Sequence, residues 1–311
     1  MMSLENELSN FTRAEDSYLT IGVFDGVHLG HKALLAEVVR RAKAIGAKSG
    51  VITFKRHPRK VVNPKDDLQF LTNLNLKIKL IKDEGIDFVI PLMFTPEIAA
   101  TSATDFITLL QQKLKMKGLI VGPDFALGKS REGDIAFLTD LSKSMNFEFI
   151  AIPPVKDDAG VFSSTAIRKA LSEGDMQKAY TLLGRYFSIE GEVVHGTGTG
   201  KQIGFPTANL CVDAEQALPL VGVYAAKTEF DGQSYDSVTF IGKRVTFGDT
   251  RKTIETHLID YNQDLYHKNL KIDIICRLRG EIKFDSVNEL VEQIKRDVTA
   301  AKKYLNSLNR K

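Results

Sequence analysis

Two histidines, His28 and His31, stand three residues apart between an apolar run and a helical pattern. At the entry of a helix both imidazoles can reach one phosphate, and the first turn adds unpaired N–H groups and the positive end of the helix dipole. Gly26 and Gly30 let the backbone approach a ligand closely. This combination suits the α-phosphate of a nucleotide, because such a transfer requires positioning and charge stabilisation and no covalent nucleophile.

The same pair of histidines has two other interpretations. Spacing alone does not separate phosphate binding from a capping or surface role for His28 and His31. Zinc binding is a third alternative, but the sequence shows no convincing third ligand.

A second set of candidate residues lies in the C-terminal half. In an extended segment Thr207 and Asn209 point to the same face and offer one hydroxyl and one amide oxygen, which are hard ligands suited to Mg²⁺ together with nucleotide phosphates and water. Glu255 lies on an alternating run, where it shares a face with His257. It can take the proton of an attacking hydroxyl, although an isolated glutamate on a strand is usually only solvated.

The run Gly-Thr-Gly-Thr-Gly-Lys at residues 196–201 looks like a nucleotide-binding fingerprint but fails its tests. A P-loop requires glycine where His195 stands and Ser or Thr where Gln202 stands. A dinucleotide fingerprint opens a helix, whereas this run leads into Ile-Gly-Phe-Pro. The run is therefore either a flexible loop whose N–H groups cover phosphates or a structural turn.

The first half of the chain predicts the elements that position His28 and His31. Apolar runs typical of strands cover residues 18–24, 50–54, 88–93, 119–121 and 147–152. Helical patterns cover residues 31–45, 74–84, 106–116 and 135–145, and the first has an apolar stripe of Leu34, Leu35, Val38, Val39, Ala42 and Ile45. This alternation predicts a parallel sheet with helices on both faces, which binds ligands at the carboxyl ends of its strands.

The pattern changes after about residue 187. Short β-rich runs cover residues 189–195, 223–230, 235–241, 253–259 and 270–278, and turn residues separate them. They predict antiparallel strands in a small barrel or sandwich. A final amphipathic helix at residues 287–304, which we expect to pack on these strands, carries Leu290, Val291, Ile294 and Val298 at helical spacing.

The composition argues against several other classes of protein. The chain has 311 residues, enough for two cores, and its formal net charge of +3 gives no support to nucleic-acid binding. Cys211 and Cys276 are too few for a disulfide framework and lack zinc-ligand spacing. No signal-peptide core and no membrane-spanning apolar run is present. These features predict a soluble cytoplasmic protein without nucleic-acid or membrane partners.

Several longer segments resemble the bacterial riboflavin kinase/FAD synthetase family. Residues 22–31, Gly-Val-Phe-Asp-Gly-Val-His-Leu-Gly-His, resemble its nucleotidyltransferase signature, and residues 163–168, Ser-Ser-Thr-Ala-Ile-Arg, its second phosphate-binding motif. Residues 122–128 with 131–134 resemble the loop beneath the flavin and nucleotide. Further matches to the flavokinase domain lie at residues 200–209, 254–258, 261–266 and 278–284. The resemblance therefore extends over nearly the whole chain.

This resemblance implies a fold and a chemistry. The fold is α/β: a Rossmann-like nucleotidyltransferase domain with a parallel sheet, then a six-stranded antiparallel flavokinase β-barrel with a terminal helix. The implied partners are small molecules, with ATP as co-substrate, Mg²⁺ as cofactor, and riboflavin, FMN and FAD as substrates or products. We expect a polar leader at residues 1–16, an FMN adenylyltransferase domain at 17–155, a helical connector at 156–183 and a riboflavin kinase domain at 184–311.

The resemblance also implies roles for individual residues. His28, His31 and Glu255 are implied to be catalytic, with Glu255 deprotonating the ribityl 5′-hydroxyl, and Thr207 and Asn209 to hold the magnesium–nucleotide. The implied flavin-binding residues are His57, Asp124, Phe125 and Arg131. The implied nucleotide-binding residues are Gly22, Phe24, Asp25, Gly30, Ser164, Thr165, Arg168, Gly196, Gly198, Gly200 and Lys201.

Three positions depart from the family pattern. Arg56 stands where the family usually has proline, Phe240 where it has asparagine, and Val245 where it has proline. The expected function is a bifunctional enzyme that phosphorylates riboflavin and then adenylylates FMN. The alternatives are a single-activity FMN adenylyltransferase or riboflavin kinase, and a flavin-sensing regulatory protein that binds FMN, or even RNA, without turnover.

Overall fold

A computed structural model describes residues 3–63, 65–157, 160–196, 198–243 and 252–308. The chain forms two compact units. The first comprises Met1–Leu68 and Leu74–Ser163, and the second comprises Gln69–Asn73 and Ser164–Lys311. The departure at Val245 and the residue Thr197 of the glycine run lie outside the described residues.

The first unit is built on a five-stranded parallel sheet of order β3-β2-β1-β4-β5. Its strands are β1 (Ser17–Ile21), β2 (Lys48–Phe54), β3 (Phe88–Leu92), β4 (Met116–Val121) and β5 (Glu148–Ala151). Its helices are α1 (Leu4–Ser9), α2 (Leu29–Ala44), α3 (Pro58–Val62), α4 (Leu74–Asp83), α5 (Pro96–Ala99), α6 (Ala103–Leu114) and α7 (Ile135–Ser144), and β6 (Lys156–Asp157) pairs with β7 (Gly160–Val161). The predicted parallel sheet is confirmed.

Helix α2 shows why the pattern predicted the fold and where it failed. Leu34, Leu35, Val38 and Ala42 are buried against the sheet as the apolar stripe predicts. Ile45, which we placed on the same stripe, is 57% exposed. The prediction for Ile45 is wrong because the helix ends at Ala44 and Ile45 is its C-cap, where the helical periodicity no longer applies.

The N-terminal segment contributes to the core of the first unit. Within it α1 begins after the N-cap Ser3, whose side chain accepts the N–H of Asn6. Leu4 and Leu8 are buried in the same hydrophobic cluster as residues of α6 and of the sheet. This short helix was not expected in a polar leader.

The second unit contains a closed barrel of order β10-β11-β12-β9-β8-β13. Two helices precede the barrel, α8 (Ser164–Glu173) and α9 (Met176–Leu183). The strands are β8 (Phe187–Val194), β9 (Ala208–Cys211), β10 (Gly222–Phe230), β11 (Gln233–Lys243), β12 (Lys252–Leu258) and β13 (Asn269–Arg279), and the helical turn α10 (Thr199–Gln202) lies between β8 and β9. All barrel pairs are antiparallel, so the predicted six-stranded barrel is confirmed.

The terminal helix α11 (Val287–Leu308) packs on the barrel, as predicted. Ala301 and Leu305 are buried in a cluster with Val223, Val238 and Ile275 of the strands. The helix also carries a buried acid, Asp297, which forms a bidentate ion pair with Arg279 at the end of β13. The guanidinium fork matches the carboxylate geometry, so this pair fixes the helix relative to the barrel wall.

Gly118 offers a direct test of the packing in the first unit. It lies opposite Tyr18 in the pairing of β1 with β4, and an added Cβ would lie 2.2 Å from the Tyr18 ring. The Tyr18 hydroxyl donates to Glu148 at 2.5 Å, which restrains the ring. Gly118→Ala should therefore lower the free energy of unfolding of this unit by about 1–3 kcal/mol, the usual cost of overpacking a core.

This loss of stability is measured by urea unfolding of the full chain, monitored with a spectroscopic probe placed in the sheet unit. Gly122→Ala is the matched control, because a Cβ at Gly122 meets nothing within 4 Å. Equal stability of the two variants would contradict the close approach of Tyr18 to Gly118.

Candidate active sites

The loop between β1 and α2 carries the first candidate site and has an unusual backbone. Phe24, Gly26 and Val27 all have positive φ angles, of 51°, 83° and 38°. Such values are strained for Phe and Val, and residues of this kind concentrate at functional loops. The Val27 N–H closes the turn by donating to the Phe24 carbonyl at 3.2 Å. The turn places His28 at the N-cap of α2.

His28 is the N-cap of α2, so the capping role considered for it is confirmed. Its Nδ1 accepts the N–H of His31 at 3.3 Å. A neutral imidazole that accepts at Nδ1 carries its proton at Nε2, so the cap makes Nε2 a donor. The His28 and His31 rings stack with centroids 3.6 Å apart and planes 20° apart. Capping and phosphate binding are therefore compatible, since they use different nitrogens.

The other residues predicted to bind nucleotide in this loop are closely packed. Phe24 is buried, and its ring meets the edge of the His31 ring at a centroid distance of 5.1 Å. A Cβ on Gly22 would lie 3.0 Å from the Phe24 ring, and one on Gly30 would lie 3.1 Å from His28 Nδ1. Asp25 is also buried. The loop thus needs its glycines in order to hold the two imidazoles.

His57 caps a helix in the same way as His28. It is the N-cap of α3, and its Nδ1 accepts the N–H of Arg59 at 3.2 Å. Its Nε2 is then the donor when the ring is neutral. Arg56, the departure from the family pattern, is exposed, and Pro58 occupies the first turn of the helix.

Three of the residues predicted to bind flavin lie around one cavity in the first unit. Asp124, Phe125 and Arg131 line a cavity of about 490 Å³, which His57 does not line. Arg131 folds back and donates from its guanidinium to the Asp124 carbonyl at 3.1 Å. Glu132 accepts the N–H of Ala103 at 2.7 Å, which fastens the loop to the start of α6.

The second phosphate-binding motif begins a helix, as expected. Ser164 and Thr165 open α8, and Arg168 follows one turn later. The Arg168 side chain donates from Nε to the carbonyl of Gln69 at 2.8 Å. All three motif residues belong to the second unit.

The candidate magnesium ligands lie on or beside β9. Asn209 pairs with Glu255 across β9 and β12, so the two side chains point to the same side of the barrel wall. A Cβ on Gly196 would lie 2.2 Å from the amide nitrogen of Asn209, and one on Gly200 would lie 3.0 Å from Thr207 Oγ1. The glycine run therefore passes directly over Asn209 and Thr207.

The expectation that this run does not open a helix is wrong in one respect. Thr199–Gln202 form the single helical turn α10, and its N-cap Gly198 has a φ of 74°. The turn ends at Ile203, so the segment still lacks the long helix of a dinucleotide fingerprint.

Two cavities meet at Thr207. The first, of about 240 Å³, has a mixed lining: Gly196, Gly198, Lys201, Thr207, Asn209, the apolar residues Val193, Pro206, Ala208 and Leu258, and the loop of residues 261–266. The second, of about 330 Å³, is lined by Thr207 together with Glu255, His257, Phe240 and the apolar residues Phe205, Val223, Val238, Ile282, Phe284, Leu290 and Ile294. A compartment of mixed polar and apolar lining and a mainly apolar compartment thus share one hydroxyl-bearing residue.

Sequence reasoning assigned no role to three polar residues at the second cavity. The first is His257, whose Nδ1 lies 2.8 Å from the carbonyl oxygen of Pro206. Because a carbonyl only accepts, Nδ1 carries the proton, and the ring holds the backbone just before Thr207. The alternation that placed Glu255 and His257 on one face was the available signal. Arg279 and Asp297 also line this cavity, and no local pattern indicates their pairing.

Comparison with known proteins agrees with this geometry. The family model described as FAD synthetase matches residues 10–166, and the model described as riboflavin kinase matches residues 183–305. A bifunctional riboflavin kinase/FMN adenylyltransferase from Haemophilus influenzae is 37% identical over 98% of this chain and 100% of its own length. The chain belongs to this family.

Two further proteins are similar to the chain over nearly its whole length. The bifunctional riboflavin kinase/FMN adenylyltransferase of Escherichia coli is 35% identical over 97% of this chain and 98% of its own. A crystal structure described as a macrolide-efflux protein from Streptococcus pneumoniae is 31% identical, with a TM-score of 0.86 over 94% of this chain and 96% of that chain. The resemblance to the riboflavin kinase/FAD synthetase family is confirmed.

Two kinds of feature are absent from the described residues. Among them no helix combines the length and the apolar character required to cross a membrane. They also contain no group of three or more His, Cys, Asp or Glu that could hold a metal ion, so the zinc alternative for His28 and His31 gains no third ligand there.

Gly196 tests the contact between the glycine run and Asn209. Gly196→Ala should displace the Asn209 amide, because the new Cβ would lie 2.2 Å from its nitrogen. We expect kcat/KM for ATP in riboflavin phosphorylation to fall by roughly 10²-fold, the effect of a displacement of about 1 Å in a positioned group. FAD formation from supplied FMN by the same protein is the internal control. Unchanged phosphorylation would show that the run does not position Asn209.

Proposed function

We propose that the barrel unit phosphorylates riboflavin across Thr207 and that the sheet unit adenylylates the resulting FMN at the His28 loop. As a member of its family the chain is a bifunctional riboflavin kinase and FMN adenylyltransferase, with the FAD synthetase part first and the kinase part second. The observation that supports the assignment best is that a cavity of mixed polar and apolar lining meets a mainly apolar cavity at Thr207, with Glu255 in the wall of the second.

In the kinase site each compartment suits one substrate. The first cavity, with the glycine run and Lys201, offers backbone N–H groups and a cation to the phosphates of ATP. The apolar cavity suits the flavin ring system, and Glu255 in its wall is the base that accepts the proton of the ribityl 5′-hydroxyl. The γ-phosphate then lies between the two compartments, beside Thr207.

Thr207 and Asn209 fit a magnesium ion. They supply a hydroxyl and an amide oxygen, which are hard ligands, and the nucleotide phosphates and water complete such a set. The close approach of Gly196 to Asn209 and of Gly200 to Thr207 brings the phosphate-covering loop to the same place. When bound, Mg²⁺ neutralises charge on the phosphates of the nucleotide.

In the adenylyltransferase site the helix entry holds the α-phosphate of a second ATP. His28 donates from Nε2, His31 stacks against it, and the first N–H groups of α2 add positive potential. Gly22, Asp25 and Gly30 shape the loop, and Phe24 supports the His31 ring from the buried side. The FMN phosphate attacks the α-phosphate, which forms FAD and releases pyrophosphate.

The remaining predicted residues also have proposed roles. Ser164, Thr165 and Arg168, which belong to the second unit, are proposed to bind nucleotide phosphate through the start of α8. Asp124, Phe125 and Arg131 are proposed to hold the flavin at their cavity, with His57 donating to FMN from Nε2. We place both reactions in the cytoplasm, where ATP is available and the two free cysteines, Cys211 and Cys276, stay reduced.

A time course of riboflavin, FMN and FAD tests the whole proposal. Purified protein is incubated with riboflavin, ATP and Mg²⁺, and in parallel with supplied FMN. FMN should appear first and FAD second. Accumulation of FMN alone, or reaction only from supplied FMN, would indicate one activity, and flavin binding without any product would indicate a sensor.

Glu255→Gln tests the base. The amide keeps the size of the side chain but accepts no proton, so riboflavin phosphorylation should fall by ~10²–10⁴-fold. FAD formation from supplied FMN should persist, since it uses the other site. An equal loss in both assays would indicate misfolding and not loss of a base.

His28→Asn and His28→Ala separate capping from phosphate binding. Asparagine keeps an N-cap acceptor, whereas alanine removes it and should cost about 1 kcal/mol of helix stability. Both variants lack the Nε2 donor, so FAD formation should fall by roughly 10²-fold or more in each. Thermal unfolding monitors the cap. Wild-type FAD formation by His28→Asn would remove His28 from the mechanism.

A further inference from the structure

Lys77, on α4, is a buried cation to which neither the sequence motifs nor the mechanism gives a role. Only 5% of its surface is exposed, although lysine is almost never buried to this extent without partners. Its Nζ donates to the carbonyl oxygen of Phe54 at 2.8 Å and to that of Val23 at 3.2 Å. Both partners are backbone acceptors and neither is a counter-ion.

These two carbonyls lie where neighbouring strands end. Phe54 is the last residue of β2, and Val23 follows β1 by two residues. The Thr53 hydroxyl donates to the same Val23 carbonyl at 3.0 Å. Beyond Val23 the chain enters the strained turn that leads to His28, and beyond Phe54 it reaches the His57 cap within three residues.

We propose that Lys77 is a positioning residue of the adenylyltransferase, whose ammonium joins the Val23 and Phe54 carbonyls and so fixes the His28 and His57 loops relative to each other. The inference rests on the proposed assignment of His28 and His57 to that site. Bonds from a charged donor to a carbonyl are shorter and stronger than neutral ones, which suits a contact that must hold two loops.

The charge of Lys77 is sensitive to pH. Burial lowers its pKa to about 8, and the field of Asp25, which is itself buried in the His28 loop, opposes that effect. Below pH 8 the ammonium holds both carbonyls as a cation. Above pH 8 the amine is neutral, its hydrogen bonds weaken, and the restraint on the two loops is reduced.

Lys77→Met in the full chain tests the role directly, because methionine has a similar length but cannot donate. FAD formation from supplied FMN should fall by about 10²-fold in kcat/KM, as expected when positioned groups shift by about 1 Å. Riboflavin phosphorylation by the same protein should stay at the wild-type rate. Lys79→Met is the matched control, since Lys79 lies on the same helix but its side chain is 70% exposed.

A second variant, Lys77→Arg, keeps a cation that does not titrate in the range of interest. The ratio of its FAD-forming rate to that of the wild type, measured from pH 6.5 to about 9.5, removes the effect of groups that titrate in both proteins. The ratio should rise as the pH passes about 8, because only the wild type loses its charge there.

The outcomes separate this inference from the site assignment. Wild-type FAD formation by Lys77→Met, or a ratio that is flat with pH, overturns the role of Lys77. If Lys77→Met loses both activities together, the variant has misfolded and the pH ratio of Lys77→Arg decides alone. His28→Asn is run in parallel: its full activity would refute the assignment of the site, whereas its loss beside an active Lys77→Met would refute the role of Lys77 only.

Discussion

Backbone donors and acceptors at the ends of buried elements must find partners, and in this chain chemically active side chains are those partners. His28 and His57 each accept an N–H at the start of a helix, and His257 donates to the Pro206 carbonyl. A neutral imidazole carries one proton on two nitrogens, so the contact leaves Nε2 as a donor in His28 and His57 and as an acceptor in His257. The contacts that complete the local fold thereby set the tautomers of these three rings.

The two units satisfy this constraint in different ways. In the sheet unit the residues that we propose as active lie on loops after parallel strands, so their geometry depends on contacts made by the loops themselves, such as the His28 cap and the Arg131 contact with Asp124. In the barrel, the strand register positions the side chains. The barrel is closed and leaves no free edge, and the pairing of β9 with β12 places Asn209 opposite Glu255. Loop geometry is the softer of the two, because fewer hydrogen bonds hold it.

Periodicity and motif spacing predicted the parallel sheet, the antiparallel strands and the terminal helix, because each depends on neighbouring residues along the chain. Residue type and spacing also pointed to His28, His31, Thr207, Asn209 and Glu255, whereas the resemblance to the family supplied the number of barrel strands and the remaining site residues. Neither the local pattern nor the resemblance predicted contacts between residues far apart in the sequence. No local feature shows that Lys77, among the lysines of α4, is buried, or that Arg279 pairs with Asp297. Ile45 failed for a related reason, since a helix end depends on capping and not on periodicity.

The departure at Phe240 shows how a single residue type changes the character of the cavity that we propose for the flavin. Its ring forms part of the apolar wall and lies over Gly242, where an added Cβ would be 2.2 Å from it. An aromatic ring supplies buried apolar area but no hydrogen bond, whereas the asparagine usual in the family supplies the reverse. Phe240 also pairs with Glu255 across β11 and β12. The ring therefore places an apolar side chain beside the proposed base, at a position where the family pattern has a polar one.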